Sequence, residues 1–124
     1  MKIAYVNLFV SDIDRAVEFY TSILGFELGF SDAEHGYASI SAGSIQLGLA
    51  VGGSPELIGR HTGIGLGVDD LEAEHERLEK LGVVFESPPT RQPWGGFMAL
   101  MQDPDGNIFY LDEVSAAHNS LGDS

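Results

Sequence analysis

The chain has 124 residues, with 19 Asp plus Glu against 6 Lys plus Arg, and so a formal net charge of −13 with histidines neutral. No basic cluster is present to neutralise phosphates, which argues against a nucleic-acid partner, and the absence of cysteine removes disulfides, zinc-thiolate centres and cysteine nucleophiles. No stretch reaches the roughly 18 apolar residues of a membrane span, and the opening residues are interrupted too early, at Asn7, Ser11 and Asp12, for a signal peptide, so the expectation is a cytoplasmic protein with no membrane partner.

Along the chain, Ile3-x-Tyr5-Val6-x-Leu8-x-Val10 alternates with period two and predicts a half-buried strand, closed by Ser11 and Asp12, either of which can cap a helix. The spacing then becomes helical. Ile13, Ala16, Val17, Tyr20, Ile23 and Leu24 fall within an arc of about 120°, with Asp14, Arg15, Glu18, Thr21 and Ser22 opposite. Leu24-Gly25 supplies the stop. Strands are expected over Phe26–Phe30, Tyr37–Ser41 and Ile45–Val51, the last two joined by a turn at Gly43-Ser44.

Residues 52–60 read as a linker, after which the pattern returns, shifted by 58 positions. His61-x-Gly63-Ile64-x-Leu66-x-Val68 repeats the first strand, and Asp69 or Asp70 repeats the cap. A second helix places Leu71, His75, Leu78 and Leu81 on one face and Glu72, Glu76, Glu79 and Lys80 on the other, and ends at Leu81-Gly82. Strands follow over Val83–Glu86, Phe97–Gln102 and Asn107–Asp112, with turn chemistry at Pro104-Asp105-Gly106. The order β-α-β-β-β thus occurs twice. It gives one α+β domain, 1–114, of two modules, 1–51 and 61–114, followed by a flexible tail, 115–124.

This arrangement, with Val6-x-Leu8-x-Val10-Ser11-Asp12, Ala16-Val17-Glu18-Phe19-Tyr20, Leu24-Gly25-Phe26 and the late Trp94-Gly95 and Asp103-Pro104-Asp105-Gly106-Asn107, resembles the vicinal oxygen chelate superfamily of glyoxalases, extradiol dioxygenases and bleomycin-binding proteins. The resemblance implies two βαβββ modules forming a curved mixed sheet with helices on its convex side, and a homodimer. It also implies where a metal would be held. The family's ligand positions fall on Tyr5, Gln46, Gly63 and Tyr110, and this set lacks the charge and basicity a divalent metal requires, so no metal and no cofactor are expected.

If Val6, Leu8, Val10, Ile64, Leu66 and Val68 face the helices, the alternate residues face the cleft. Those are Tyr5, Asn7 and Phe9, and Gly63, Gly65 and Gly67; the same parity adds Gln46, Gly48 and Ala50 from the fourth strand and Ile108, Tyr110 and Asp112 from the eighth. The glycines either leave room for a bulky ligand or mark bulges and tight packing. Trp94, Phe97, Met98 and Met101 belong to the segment that closes the cavity in this fold, although Phe97-Met98-Ala99-Leu100-Met101 is wholly apolar and its parity stays open. Among the histidines, His75 belongs at a helix-sheet boundary, His35 in a solvated loop and His118 in the tail. His61 alone has a route to the cleft.

Three functions follow. The first is a metal-independent binding protein that sequesters an aromatic or cationic small molecule, as bleomycin-binding members of the resembling family do, through Tyr5, Asn7, Phe9, Gln46, His61, Gly63, Gly65, Trp94, Phe97, Met101 and Tyr110. The second is a metal-dependent lyase, isomerase or dioxygenase with displaced ligands such as His61, His35 and Glu113. The third is a metal-free enzyme in which Tyr5, Tyr110, Asp112 or His61 handles a proton.

Overall fold

The computed structural model describes residues 1–114; the expected flexible tail, with His118, lies outside the described residues. Two compact units form, one of Met1–Arg60 with Asp103–Asn107 and the other of His61–Gln102 with the described residues from Ile108. In the first, β1 (Tyr5–Phe9), α1 (Ile13–Glu18), β2 (Glu27–Asp32), β3 (Tyr37–Ala42) and β4 (Ile45–Ala50) give a sheet of order β1-β4-β3-β2, with β1 parallel to β4 and the other pairs antiparallel. The second repeats this with β5 (His61–Val68), α2 (Leu71–Lys80), β6 (Phe85–Arg91), β7 (Phe97–Gln102) and β8 (Ile108–Glu113) in the order β5-β8-β7-β6. Both are α+β with mixed four-stranded sheets. The linker carries one 3₁₀ turn, Pro55–Leu57, and among the described residues no helix is long and apolar enough to cross a membrane.

The repeated strand-to-helix corner works the same way in both copies. Asp12 accepts from Arg15 N at 2.9 Å and Asp70 from Ala73 N at 3.1 Å, each stabilising its helix start by about 1 kcal/mol. Gly25 and Gly82 leave the helices at φ +88° and +90°, a conformation that costs only glycine nothing.

α1 departs from the expected regular helix. After Glu18 it widens into a π-helical stretch, Phe19–Ile23, closed by Leu24 N donating to Phe19 O at 3.0 Å. Phe19 lies about 40° outside the apolar arc of a regular helix, yet it is buried. The wider turn lets the adjacent Phe19 and Tyr20 both face inward, edge to face with centroids 5.1 Å apart. They join Ile13 and Ala16 over the buried side of the sheet, made by Leu8, Ala38, Ile40, Leu47 and Leu49.

In the second unit Leu71 and Leu78 cover Ala99, Met101, Phe109 and Leu111. His75 stands at the margin as expected, with its ring edge-on to Phe85 at 4.5 Å and Nε2 3.5 Å from Glu79. Leu81 does not join this face. It occupies the C-cap, where the helix unwinds, and is half-exposed. β6 also differs from expectation, running on to Arg91 through Pro88 and Pro89, which lack N–H donors and are tolerated because β6 is an outer strand with irregular register. On the other sheet the outer strand β2 has all six residues exposed.

The β7–β8 connection belongs to the first unit, and its buried side chains organise that unit. Asp103 Oδ2 accepts from the Tyr20 hydroxyl at 2.7 Å and from Asn107 Nδ2 at 2.9 Å, while Oδ1 accepts from the backbone N–H groups of Asp105 and Asn107, both at 2.9 Å. Asn107 donates in addition to Phe9 O at 3.0 Å and accepts from Gly59 N and Arg60 N. One residue away, Asp105 accepts from the backbone and hydroxyl of Ser11 and from Arg15 Nη2 at 2.7 Å.

Truncating Asp103 to alanine removes the buried acceptor of the Tyr20 hydroxyl, of one Asn107 side-chain N–H and of the Asp105 and Asn107 backbone N–H groups. The expected loss is about 3 kcal/mol or more, read as a lower denaturant midpoint with an unchanged slope. Burial, and then the neighbouring Asp103 carboxylate, push the Tyr20 hydroxyl far above its ordinary ionisation range. The folded chain therefore keeps this proton while the unfolded chain releases it near pH 10, so stability falls as pH rises past about 10. Tyr20→Phe removes that contribution, and denaturation curves between pH 9 and 11 should show a shallower decline than in the parent.

Candidate ligand-binding faces

Each sheet has one face turned away from its helix, and the expected site residues divide between these two faces. On the first sheet, the register Tyr5↔Gln46, Asn7↔Gly48 and Phe9↔Ala50 places all six on the open side, as the alternation predicts. β3 adds Tyr37, Ser39 and Ser41 through Tyr37↔Ala50, Ser39↔Gly48 and Ser41↔Gln46. A bulge at Gly29 then brings Phe30 opposite Ser39, so its ring lies on the same face, 5.9 Å from that of Tyr37. Tyr37, Ser39 and Phe30 were not among the expected site residues, although the alternation of Tyr37-Ala38-Ser39-Ile40-Ser41 carries the signal for the first two.

Hydrogen bonds fix this face. Tyr37 donates its hydroxyl to Asn7 Oδ1 at 3.1 Å, and Ser39 donates to Gln46 Oε1 at 3.0 Å. The first crosses above Gly48, where an added Cβ would overlap both Asn7 Oδ1 and the Tyr37 hydroxyl. Glycine at this position is therefore what allows the Tyr37–Asn7 pair to lie across β4. The tyrosine ring of Tyr5 stands at the outer strand, well exposed at 59%.

On the second sheet, the open face carries His61, Gly65, Gly67, Ile108, Tyr110 and Asp112, with Met98, Leu100 and Gln102 of β7 in register beside β8. The His61 and Tyr110 rings meet edge to face, centroids 4.9 Å apart. Asp112 lies further along β8, its Oδ2 3.1 Å from where a Cβ of Gly65 would be, so Gly65 leaves room for that carboxylate. Gly63 does not continue the simple alternation. It sits at φ +73° in an irregularity between His61 and Gly65, and its N–H donates to His61 Nδ1 at 3.0 Å. Of the two readings of the strand glycines, Gly63 realises the bulge and Gly65 the tight packing, its space being taken by the Asp112 carboxylate.

Two expected residues do not reach this face. Met101, opposite Phe109, is fully buried in the core of the second unit, because the register that sets Leu100 against Tyr110 turns Met101 inward. Phe97 has the same inward parity and its ring is covered by the Arg91 guanidinium at 4.5 Å. Met98 and Leu100 take the open positions. Trp94 stands out to solvent, 74% exposed, in the turn between β6 and β7.

The residues at the family's metal-ligand positions are a phenol, an amide, a glycine with no side chain and a second phenol, a donor set that does not fit a divalent metal. Among the described residues no three His, Cys, Asp or Glu side chains form a group that could hold one. The displaced set fares no better within the second unit. His61 and Glu113 stand at opposite ends of the β5–β8 pair, roughly 16 Å apart along the strand, and Glu113 accepts from Leu71 N at 3.2 Å. His35 lies in the first unit, held through Nδ1 by Asp32 at 2.9 Å. Among the described residues a surface hollow lies at the start of each helix, one lined by Asp12, Asp14 and Glu34 and the other by Asp69, Asp70 and Glu74. Of the expected site residues only His35 borders either of them, in the first, and Asp12 and Asp70 are occupied as caps.

Comparison with known proteins gives these faces a family context. The model of the Glyoxalase/Bleomycin resistance protein/Dioxygenase superfamily matches residues 2–111. The chain is 30% identical to the bleomycin resistance protein of Klebsiella pneumoniae, covering 85% of this chain and 86% of that one, and 30% identical to the lactoylglutathione lyase of Haemophilus influenzae, covering 98% and 99%. Among solved structures it is similar to TnmS3, an antibiotic-binding protein from a Streptomyces species, with 31% identity, a TM-score of 0.71, and 93% and 99% of the two chains covered. The matched residues span both βαβββ units and both open faces, and the chain belongs to the Glyoxalase/Bleomycin resistance protein/Dioxygenase superfamily.

Proposed function

We propose that this protein is a metal-independent small-molecule-binding protein of the cytoplasm that sequesters an aromatic or cationic ligand, and that it acts as a homodimer. The observation that carries the reading is the register pair Tyr5↔Gln46, an exposed phenol beside an exposed amide, at two positions where metalloenzymes of the family hold their metal. Aromatic rings and amides bind by stacking and hydrogen bonding, and they provide neither the ligands nor the basicity of a metal-dependent active site. The similarity to a bleomycin resistance protein and to an antibiotic-binding protein supports the same role. On the second sheet, the His61–Tyr110 ring pair offers a further aromatic surface, with the Asp112 carboxylate beside it over Gly65.

Calorimetric titration with a panel of planar, basic and glycopeptide antibiotics is expected to find at least one ligand in the micromolar range, unaffected by EDTA. For cationic members, affinity should fall between low and high salt, because the charge of −13 attracts them at a distance. Millimolar or absent binding across the panel overturns the proposal, as does binding that disappears with EDTA and returns on adding a divalent metal. Sedimentation at micromolar protein should give twice the chain mass; a monomer at that concentration removes the dimer.

A further inference from the structure

On the first sheet the two exposed amides are held by their oxygens. The Tyr37 hydroxyl donates to Asn7 Oδ1 and the Ser39 hydroxyl to Gln46 Oε1. A carboxamide whose oxygen is engaged in this way has its NH2 group left to offer a ligand, and that group has two N–H donors and no acceptor. Asn7 and Gln46 are diagonal neighbours across β1 and β4, since Asn7 faces Gly48 and Gln46 is two residues earlier on the same strand face. The open positions of these two strands are Tyr5, Asn7, Phe9, Gln46, Gly48 and Ala50, and none is a carboxylate. A cation arriving here meets N–H groups rather than a counter-charge.

Anions are disfavoured for the opposite reason. The net charge of −13 repels them before contact, and no Lys or Arg occupies these open positions to compensate. A purely hydrocarbon ring leaves both amides without partners once water is displaced, which costs affinity. The second sheet, taken by itself, shows a donor of the same kind: because Gly63 N donates to His61 Nδ1, the neutral imidazole carries its proton on Nε2.

From this geometry we infer that the open face of β1 and β4 selects an uncharged planar aromatic bearing carbonyl-type acceptor oxygens, with Asn7 and Gln46 as the residues that determine the preference. The inference rests on the binding role proposed above and narrows its ligand class.

The test has a ligand-free arm and a titration arm. In the free protein, ¹³C shifts of the side-chain carbonyls should move upfield at Asn7 in Tyr37→Phe and at Gln46 in Ser39→Ala, with the NH2 nitrogens nearly unmoved. Movement of the nitrogens instead means that the amides point the other way and overturns the inference. In the second arm, a neutral hydroxyanthraquinone, the planar cation proflavine and anthraquinone-2-sulfonate are titrated at low and high salt. The neutral diketone should bind tightest at high salt. Asn7→Asp, which keeps shape but replaces the NH2 with an oxygen, should weaken the diketone about tenfold and strengthen proflavine, and Gln46→Glu should repeat this at a second position. Proflavine binding tighter than the diketone at both salt concentrations overturns the donor assignment alone, while no binding by any of the three overturns the binding function together with it.

Discussion

The first unit depends on a buried carboxylate. Asp103 carries four hydrogen bonds in an interior where an unpartnered oxygen is costly, and each donor comes from a segment that must be in place for the bond to form: Tyr20 from the helix, and Asp105 and Asn107 from the turn itself. Asn107 extends the arrangement to the end of β1 and to the last residues of the linker. Such a network tolerates no partial version, because an incomplete set leaves buried donors without acceptors. The π-helical widening of α1 belongs to the same requirement, since it allows Tyr20 to reach Asp103 while Phe19 still packs inward. The hydrogen-bonded corner and the apolar core are thus two results of one helix geometry.

Much of the fold was legible because alternation and helix period are local signals. The 58-residue repeat, Asp12 and Asp70 as caps, Gly25 and Gly82 as stops and the open-face positions Tyr5, Asn7, Phe9 and Gln46 all depend on neighbours in the chain. What was not legible depends on register between strands. Phe97 to Met101 has no polar residue to mark a face, and only pairing with β8 reveals that Met98 and Leu100 are open and Met101 is buried. Bulges hide information in a similar way. Gly29 resets the parity of β2 and places Phe30 on the open face, while the irregularity at Gly63 turns an N–H toward His61. The role of Asp103 was invisible for another reason, because the turn motif announces a change of direction and says nothing about the distant tyrosine it holds.

The surface divides its chemistry by place. Asp14, Glu18, Glu72, Glu76 and Glu79 are exposed on the outer sides of the helices, and much of the acidity is solvated there, with Glu76 also paired to Lys80 at 3.2 Å. The open positions of β1 and β4 hold rings and amides instead. Charge therefore governs what approaches the molecule, and hydroxyl-anchored amides govern what remains in contact with it.

Two of the outer strands, β2 and β6, differ in how they resist unwanted strand addition. β6 is blunted covalently, since Pro88 and Pro89 interrupt the row of donors a new strand would need. β2 has no proline and shows its whole length to solvent. If two copies paired there antiparallel about their midpoints, Glu27 of each would lie opposite Asp32 of the other, and like charges directly across a strand pair are unfavourable. Protection of β2 is thus electrostatic, and it weakens as the medium approaches the isoelectric point near 4.3.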